Sequence, residues 1–503
     1  MSKIYDRYRE HMAEIRALNS AQGLLSWDQE TYMPPDGLTA RAEARAVLSG
    51  LVHDRTVSGE LGDLLSELAD AGLDETRAAN VRETIRDRDR AVKVPRELVT
   101  ELARVTTLAQ QAWARAREND DWPLFSPLMT EVLELRRRQA EALGYASEPY
   151  DALLEEFEPG AVTVEVAAVF ADLREQLVPL VAAIGETDPR DDALLRKNCP
   201  EPGQNILSRD VLKAMGFDFR AGRLDRSAHP FTTGVGARDV RLTTHFDERD
   251  LAKALYSTIH EGGHGLYEQG LPLEEAGLPL GEAVSLGIHE SQSRLWENQV
   301  GRGPAFVGWL LPKLQGLFPG VFDDVDADDV YRAVNVVRPS PIRIEADEVT
   351  YNLHIILRME LERALLRGDI AVDDLPGLWN ERMDAYLGLT PRNDAEGVLQ
   401  DIHWSFGLFG YFPTYALGNI YSAQLYAAAQ ADLPDLEDGI GRGELTPLLD
   451  WMRAHVHAHG RRYTAGELCR RATGHTLDSR PFVDYLRRKF CALYNLSTGD
   501  VRA

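Results

Sequence analysis

A mainly α-helical fold is what this sequence predicts, and three observations carry that expectation. Long stretches mix Ala, Leu, Glu and Arg with apolar residues spaced by three and four, as in Asp74–Arg90 and Pro95–Glu118. Clusters of Pro and Gly punctuate those stretches, at Met33–Gly37, Gly185–Asp192, Cys199–Gly203 and Leu317–Gly320. Strand-forming residues, by contrast, gather in one place. Between Phe231 and Phe246 the chain reads FTTGVGARDVRLTTHF, which alternates with period two and predicts a strand or hairpin. Within it Asp239, Arg241 and Thr243 stand two apart, so a strand would present all three on one face. Such a polar face reads most simply as a solvated edge.

Composition narrows the class of function. The 503 residues carry 55 Lys+Arg against 80 Asp+Glu, a formal net charge of −25. Nucleic acid and anionic membrane surfaces are therefore not expected partners, because both demand a basic footprint. Hydrophobic residues at 44% and charged residues at 27% are the proportions of a globular chain, and the length suffices for a large core. No shift in composition marks a boundary, so one domain over 1–503 is expected, with an N-terminal helical lobe of about 200 residues as a subdivision. The three cysteines, Cys199, Cys469 and Cys491, are far apart and form no CxxC pair. That spacing argues against a disulfide framework or a thiolate metal site and suits a reducing compartment. The opening MSKIYDRYREHMAEIRALNS lacks the apolar core of a secretory signal, and no apolar run reaches the roughly 18 residues of a membrane span. The longest, such as Leu177–Ile184, suit buried helix; a cytoplasmic location is expected.

The residues richest in chemistry are His260-Glu261-Gly262-Gly263-His264. On a helix, HExxH puts both imidazoles on one face, one turn apart, where they can hold one Zn²⁺. The intervening Glu261 then lies close to the metal without binding it, placed to take a proton from water. Leu251, Leu255 and Ile259 supply an apolar stripe, and Asp247 is the expected N-cap. Two adjacent glycines cost a helix about 1 kcal/mol each relative to Ala, so they point to close approach by a substrate or a neighbouring backbone. A catalytic zinc needs a third protein ligand. The extended HExxHxxGxxH pattern is absent, since Tyr267 and Gly270 occupy its decisive positions. The following helical stretch offers Glu282, His289, Glu290 and Glu297. Glu290 and Glu297 lie seven residues and roughly 10 Å apart along a helix, too far to share one metal, and spacing does not choose among the four.

Taken with the rest of the chain, these residues resemble the Taq-type metallocarboxypeptidases. Separated motifs of that family occur in family order: His229-Pro230-Phe231, then Asp239-x-Arg241-x-Thr243, the HExxH, and His289-Glu290-Ser291-Gln292. Ile342-Arg343-x-x-Ala346-Asp347 and Gly397-x-x-Gln400-Asp401-x-His403-Trp404 follow, and Leu25–Pro34 and Tyr411–Tyr415 also look familial. The resemblance implies His260, His264 and Glu290 as metal ligands and Glu261 as the catalytic carboxylate. It further implies a helical, clam-like fold with a deep groove, a homodimer, and broad-specificity release of C-terminal residues from peptides. Zinc is the usual metal of such enzymes and cobalt often supports activity; a His₂Glu set suits either.

Chemistry suggests roles for the other motif residues. A carboxypeptidase must recognise a free C-terminal carboxylate, for which the planar fork of arginine is best suited. Arg241 and Arg343 are the expected clamp, with Asp239 and Asp347 as the ion-pair partners each would otherwise have. His403 and Tyr415 are candidates to stabilise charge on the carbonyl oxygen. His229, Asp239 and Thr243 are expected on the substrate side, and His245 could shape it. His289 could support the neighbouring carboxylate of Glu290, and Arg294 could pair with Glu290 or Glu297. His455, His457 and His459 read as part of a solvated helix. The acidic run Asp323–Asp329 lacks the Gly and Glu of a calcium loop and reads as a charged helix start. An intact HExxH distinguishes all this from a non-catalytic peptide-binding protein, while an oligopeptidase cutting internal bonds is the nearest enzymatic alternative.

Overall fold

The computed structural model describes residues 2–497, and helix accounts for 69% and strand for 3% of the chain. Helices Glu75–Lys93 and Arg96–Asn119 lie within a few residues of the two predicted stretches. Helix Ser2–Thr31 ends ahead of the first Pro/Gly break, and Thr163–Gly185 and Pro304–Leu317 end at the second and fourth. The third break is partly overrun. Helix Glu201–Met215 starts inside it, with Pro202 in the first turn, where its missing N–H costs nothing. Helix Ala327–Ala333 starts from the acidic run as expected: Asp326 caps it and Asp329 returns the bond.

The strand-rich stretch forms β2 (Thr232–Gly236) and β3 (Asp239–Thr244), the predicted antiparallel hairpin. A further strand, β1 (Gly222–Arg226), pairs parallel to β3 and gives the order β1-β3-β2. β1 is invisible in sequence because GRLDR has no β-branched residue; its partner holds it extended while Leu224 is buried. β3 is thus the central strand, which corrects the solvated-edge reading. Val240 and Leu242 point into the core, Asp239 and Arg241 are half-buried, and Thr243 is fully buried.

The chain forms two compact units, interleaved in sequence. The first takes the residues up to Val92, Asp191–Val334 and Leu425–Gly474; the second takes Lys93–Arg190, Asn335–Gln424 and the residues from His475. Residues 1–200 are therefore shared between both. In the first unit Tyr5, Tyr8, Leu61, Leu65, Leu68, Val81 and Leu278 form a buried apolar cluster. In the second, the Glu362 carboxylate is fully buried and accepts hydrogen bonds from Tyr150, the Trp404 indole and the Gly410 N–H; burial pushes its pKa up to about 7. No helix of the described residues is long and apolar enough to cross a membrane.

Candidate metal centre

Helix Leu251–Gly270 carries the HExxH in the first unit. Its cap is Asp250, which accepts the Lys253 N–H, rather than Asp247, whose carboxylate takes the Arg249 N–H one turn earlier. Leu251, Leu255 and Ile259 are buried as the stripe predicts. The paired glycines have packing reasons. A Cβ on Gly263 would lie 2.6 Å from the backbone of Gln292 and Ser293, and one on Gly262 would lie 2.6 Å from Leu212. Gly263 therefore lets helix Leu286–Arg294 approach backbone to backbone, which brings Glu290 onto the histidine face.

His260, His264 and Glu290 converge, with one potential ligand atom from each lying within 4.8 Å of the others. Glu290 Oε2 is 3.4 Å from His264 Nε2 and 3.7 Å from His260 Nε2. The other candidates for a third ligand have different partners. Glu297 Oε2 is 2.9 Å from His260 Nδ1, and it stands on a π-helical turn, Leu295–Gly301, that follows the Glu290 helix. His289 contacts His264 Nδ1 at 2.6 Å rather than the Glu290 carboxylate, and Glu282 pairs with Arg461. Arg294 binds both Glu290 and Glu297, at 2.7 and 3.3 Å.

The donor chemistry fits a divalent cation. Both histidines engage a partner through Nδ1, leaving Nε2 on the Glu290 side, and a His₂Glu set is one that catalytic zinc uses. Burial and the arginine contact set the proton affinities. Burial opposes ionisation of Glu290, yet Arg294 and the two histidines hold its carboxyl well below the usual range. Burial pushes His264 down to about 4. For His260 burial acts downward too, but Glu290 and Glu297 outweigh it and raise its pKa above the ordinary 6.5. Protons should therefore compete for His260 as pH falls through that raised value. Apparent Zn²⁺ affinity is expected to be at least ~10-fold weaker at pH 5.5 than at pH 7.5, because a ligand histidine must be neutral to bind. Calorimetric titration at the two pH values checks this, and equal affinity would contradict it.

Glu261 lies outside the ligand group. Its carboxylate is buried and accepts a 2.7 Å hydrogen bond from the Thr232 hydroxyl on β2; burial raises its pKa. Arg241, in the same unit, already uses its Nε and Nη2 on Asp239, at 2.9 and 2.8 Å, and stacks 4.3 Å over the Trp27 ring. The Thr243 hydroxyl is committed internally, accepting from the Phe231 N–H and from Ser227. His229 is exposed between β1 and β2, and His245 Nδ1 lies 3.3 Å from the Ser227 carbonyl.

Arg343, His403 and Tyr415 belong to the second unit. Arg343 pairs not with Asp347 but with Asp401, whose Oδ1 accepts from Nε and Nη2 at 3.0 and 2.7 Å. Asp347 is occupied by the N–H groups of Arg338, Val349 and Thr350, bracing the start of helix Tyr351–Arg367. Arg358, fully buried, takes Asp401 Oδ2 at 2.7 Å through Nε. Two guanidinium groups thus share one carboxylate. Arg343 Nη1 donates to the Tyr351 hydroxyl at 3.2 Å, and the guanidinium lies 5.2 Å over the Tyr415 ring. His403 Nε2 is 3.4 Å from the Tyr415 hydroxyl; burial pushes this histidine down to about 4, so it is neutral.

Some residues carried no clear sequence signal. In the first unit Thr232 lies outside every motif, and Glu268, one turn beyond His264 on the same helix, was identifiable only by that i, i+4 spacing; in the second, Arg358 lies outside every motif. His457 overturns the solvated-helix expectation. Helix Thr446–His455 ends just before it, and His457 turns inward, buried, with Nε2 2.9 Å from Gln292 Oε1.

The sequence profile of the carboxypeptidase Taq (M32) metallopeptidase family matches residues 7–490. Thermostable carboxypeptidase 1 of Thermus thermophilus is 43% identical over 505 residues, covering 97% of this chain and 99% of the relative. Carboxypeptidase 1 of Bacillus subtilis is 40% identical, covering 96% and 97%. Among solved structures, an M32 carboxypeptidase from Deinococcus radiodurans R1 is 40% identical, with a TM-score of 0.96, covering 98% of this chain and 100% of that one.

Proposed function

Because this chain belongs to the carboxypeptidase Taq (M32) metallopeptidase family and is a metal-dependent carboxypeptidase, we propose that it is a zinc enzyme whose ligands are His260, His264 and Glu290 and whose general base is Glu261. The observation that carries this reading is the convergence of those three ligand atoms within 4.8 Å, with Glu261 beside them and outside the set. Cobalt is the expected substitute metal. A divalent cation held by His260, His264 and Glu290 would supply Lewis acidity, lowering the pKa of water towards about 7 and polarising the scissile carbonyl.

Glu261 accepts the proton of the attacking water and returns it to the leaving amine. Its raised proton affinity suits both transfers, since a base works best with a pKa nearer the operating pH. Thr232 orients the carboxylate through its second oxygen. His403 and Tyr415 donate to the carbonyl oxygen as negative charge develops there.

Arg343 is the principal anchor for the substrate carboxylate. Two buried arginines on one aspartate leave a surplus positive charge, whereas the charge of Arg241 is matched by Asp239. Arg241 and His229 act on the substrate side, with Asp239 holding the Arg241 fork and Thr243 bracing the strand beneath it. Arg343→Ala is expected to raise KM for free-acid peptides about 10- to 100-fold, the value of a charge-assisted pair, with metal content unchanged. Steady-state kinetics would expose an error as an unaltered KM.

The cytoplasmic assignment rests on three buried cysteines that form no disulfide among the described residues, which suits a reducing compartment. The homodimer rests on the family resemblance and is tested by light scattering. Mass spectrometry of a peptide ladder tests the activity as a whole. Stepwise loss of single C-terminal residues, abolished by chelator and by C-terminal amidation, is the expected result; cleavage of peptides blocked at both ends would replace it with an oligopeptidase.

A further inference from the structure

We propose that Glu268 and His289 form a two-step hydrogen-bond relay that fixes which nitrogen of His264 carries the proton, and so holds its Nε2 lone pair ready for the metal. The inference rests on the reading of His264 as a ligand. A neutral imidazole has one N–H and one lone pair, and only the tautomer with a bare Nε2 can coordinate from the Glu290 side. His264 Nδ1 lies 2.6 Å from His289 Nδ1, so one proton is shared between two like atoms and either could own it. The other nitrogen of His289 breaks the tie. It lies 2.9 Å from Glu268 Oε1, and a carboxylate can only accept. His289 Nε2 is therefore the donor to Glu268, His289 Nδ1 is left with a lone pair, and His264 Nδ1 must donate to it. The proton order set at Glu268 thereby reaches the ligand across two rings.

The fold is shaped to allow this. Glu268 stands one turn beyond His264 on the HExxH helix, and His289 precedes Glu290 on the next, so the relay ties together the two helices that bear the ligands. A Cβ at Gly234 of β2 would lie 2.8 Å from Glu268 Oε2, so the glycine leaves room for the carboxylate. The Tyr267 ring lies 5.2 Å from the His289 ring on another side. His260 reaches a comparable state in one step, through Glu297, which Arg294 and Arg302 hold at 3.3 Å each. Glu268 and His289 are positioning residues: they act through His264.

Glu268→Gln is the discriminating substitution, because the amide keeps the shape but can donate as well as accept, which permits the proton order to reverse. Zn²⁺ affinity, measured by competition with a chromogenic chelator, is expected to weaken about 10- to 100-fold, the usual cost of losing such a support. The visible spectrum of the Co²⁺-loaded protein should change, while the melting midpoint of the metal-free protein stays at the wild-type value. His289→Gln, with an acceptor and a donor on one amide, should retain more affinity than His289→Ala. Wild-type affinity and spectrum in Glu268→Gln, or equal weakening in the two His289 variants, would overturn the relay alone. A wild-type chain that takes up no divalent metal would overturn the ligand assignment and the relay with it.

Discussion

Glu261→Gln is expected to keep its divalent metal and to lose about 10²- to 10⁴-fold in kcat, the contribution of a positioned general base. The substitution removes one property. Gln has the shape of Glu and can still accept the Thr232 hydroxyl through its carbonyl oxygen, so packing around the buried side chain is preserved. The proposed ligand group of His260, His264 and Glu290 does not include Glu261, so occupancy should stay at the wild-type level. What disappears is the capacity to take a proton. The loss should fall on kcat and kcat/KM together, because the missing interaction belongs to the transition state. Metal analysis beside steady-state kinetics separates the outcomes: metal retained with turnover intact would remove Glu261 from proton transfer.

The second large effect is on stability. Asp401→Asn should destabilise the protein by about 3–5 kcal/mol, the cost of breaking a buried ion pair and stranding its partner. Here the partners are two: Arg343 and Arg358 lie on opposite oxygens of Asp401. Burial already pushes Arg358 down to about 10 with Asp401 in place. An asparagine would turn an N–H group towards one guanidinium and cancel none of the charge. Denaturant unfolding checks the prediction; a midpoint at the wild-type value would mean that the guanidinium groups find water or another acceptor. Arg358→Met alongside Asp401→Asn should recover part of the loss, since an apolar side chain in a buried ionic position is often well tolerated.

Helices and the hairpin were legible because each rests on local pattern: apolar spacing in Arg96–Asn119, period-two alternation in Asp239–Thr244. β1 was not, because its extended state comes from pairing with a strand it does not resemble. At the site, the two histidines and the glutamate between them were readable from helical periodicity. Helical spacing did not choose the proposed third ligand among Glu282, His289, Glu290 and Glu297; the family resemblance pointed to Glu290, and Gly263 is what admits its helix to the histidine face. Ion-pair partners were legible where they lay close in sequence, two residues away on a strand for Asp239 and Arg241, and four and three away along a helix for Arg294 with Glu290 and Glu297. Asp401 is 58 residues from Arg343, and no local rule reaches that far. His457 failed for a related reason: helical spacing was assumed through a residue, Val456, whose φ of −125° and ψ of −63° leave the helix.

The interleaving of the two units has a consequence for how the polypeptide is made. The unit that holds His260, His264 and Glu290 takes its last segment from Leu425–Gly474. At ribosomal rates of about 5–20 residues per second, roughly 10–40 s separate the emergence of Glu290 from that of Gly474. Over that interval the other unit is incomplete as well, because it awaits residues beyond His475. The first unit has all its segments only once Gly474 has emerged and the second only later still, and no single cut separates one whole unit from the other. The helices that bear His260, His264 and Glu290 spend that interval without the last segment of their unit, their imidazoles and carboxylates lacking that part of their surroundings.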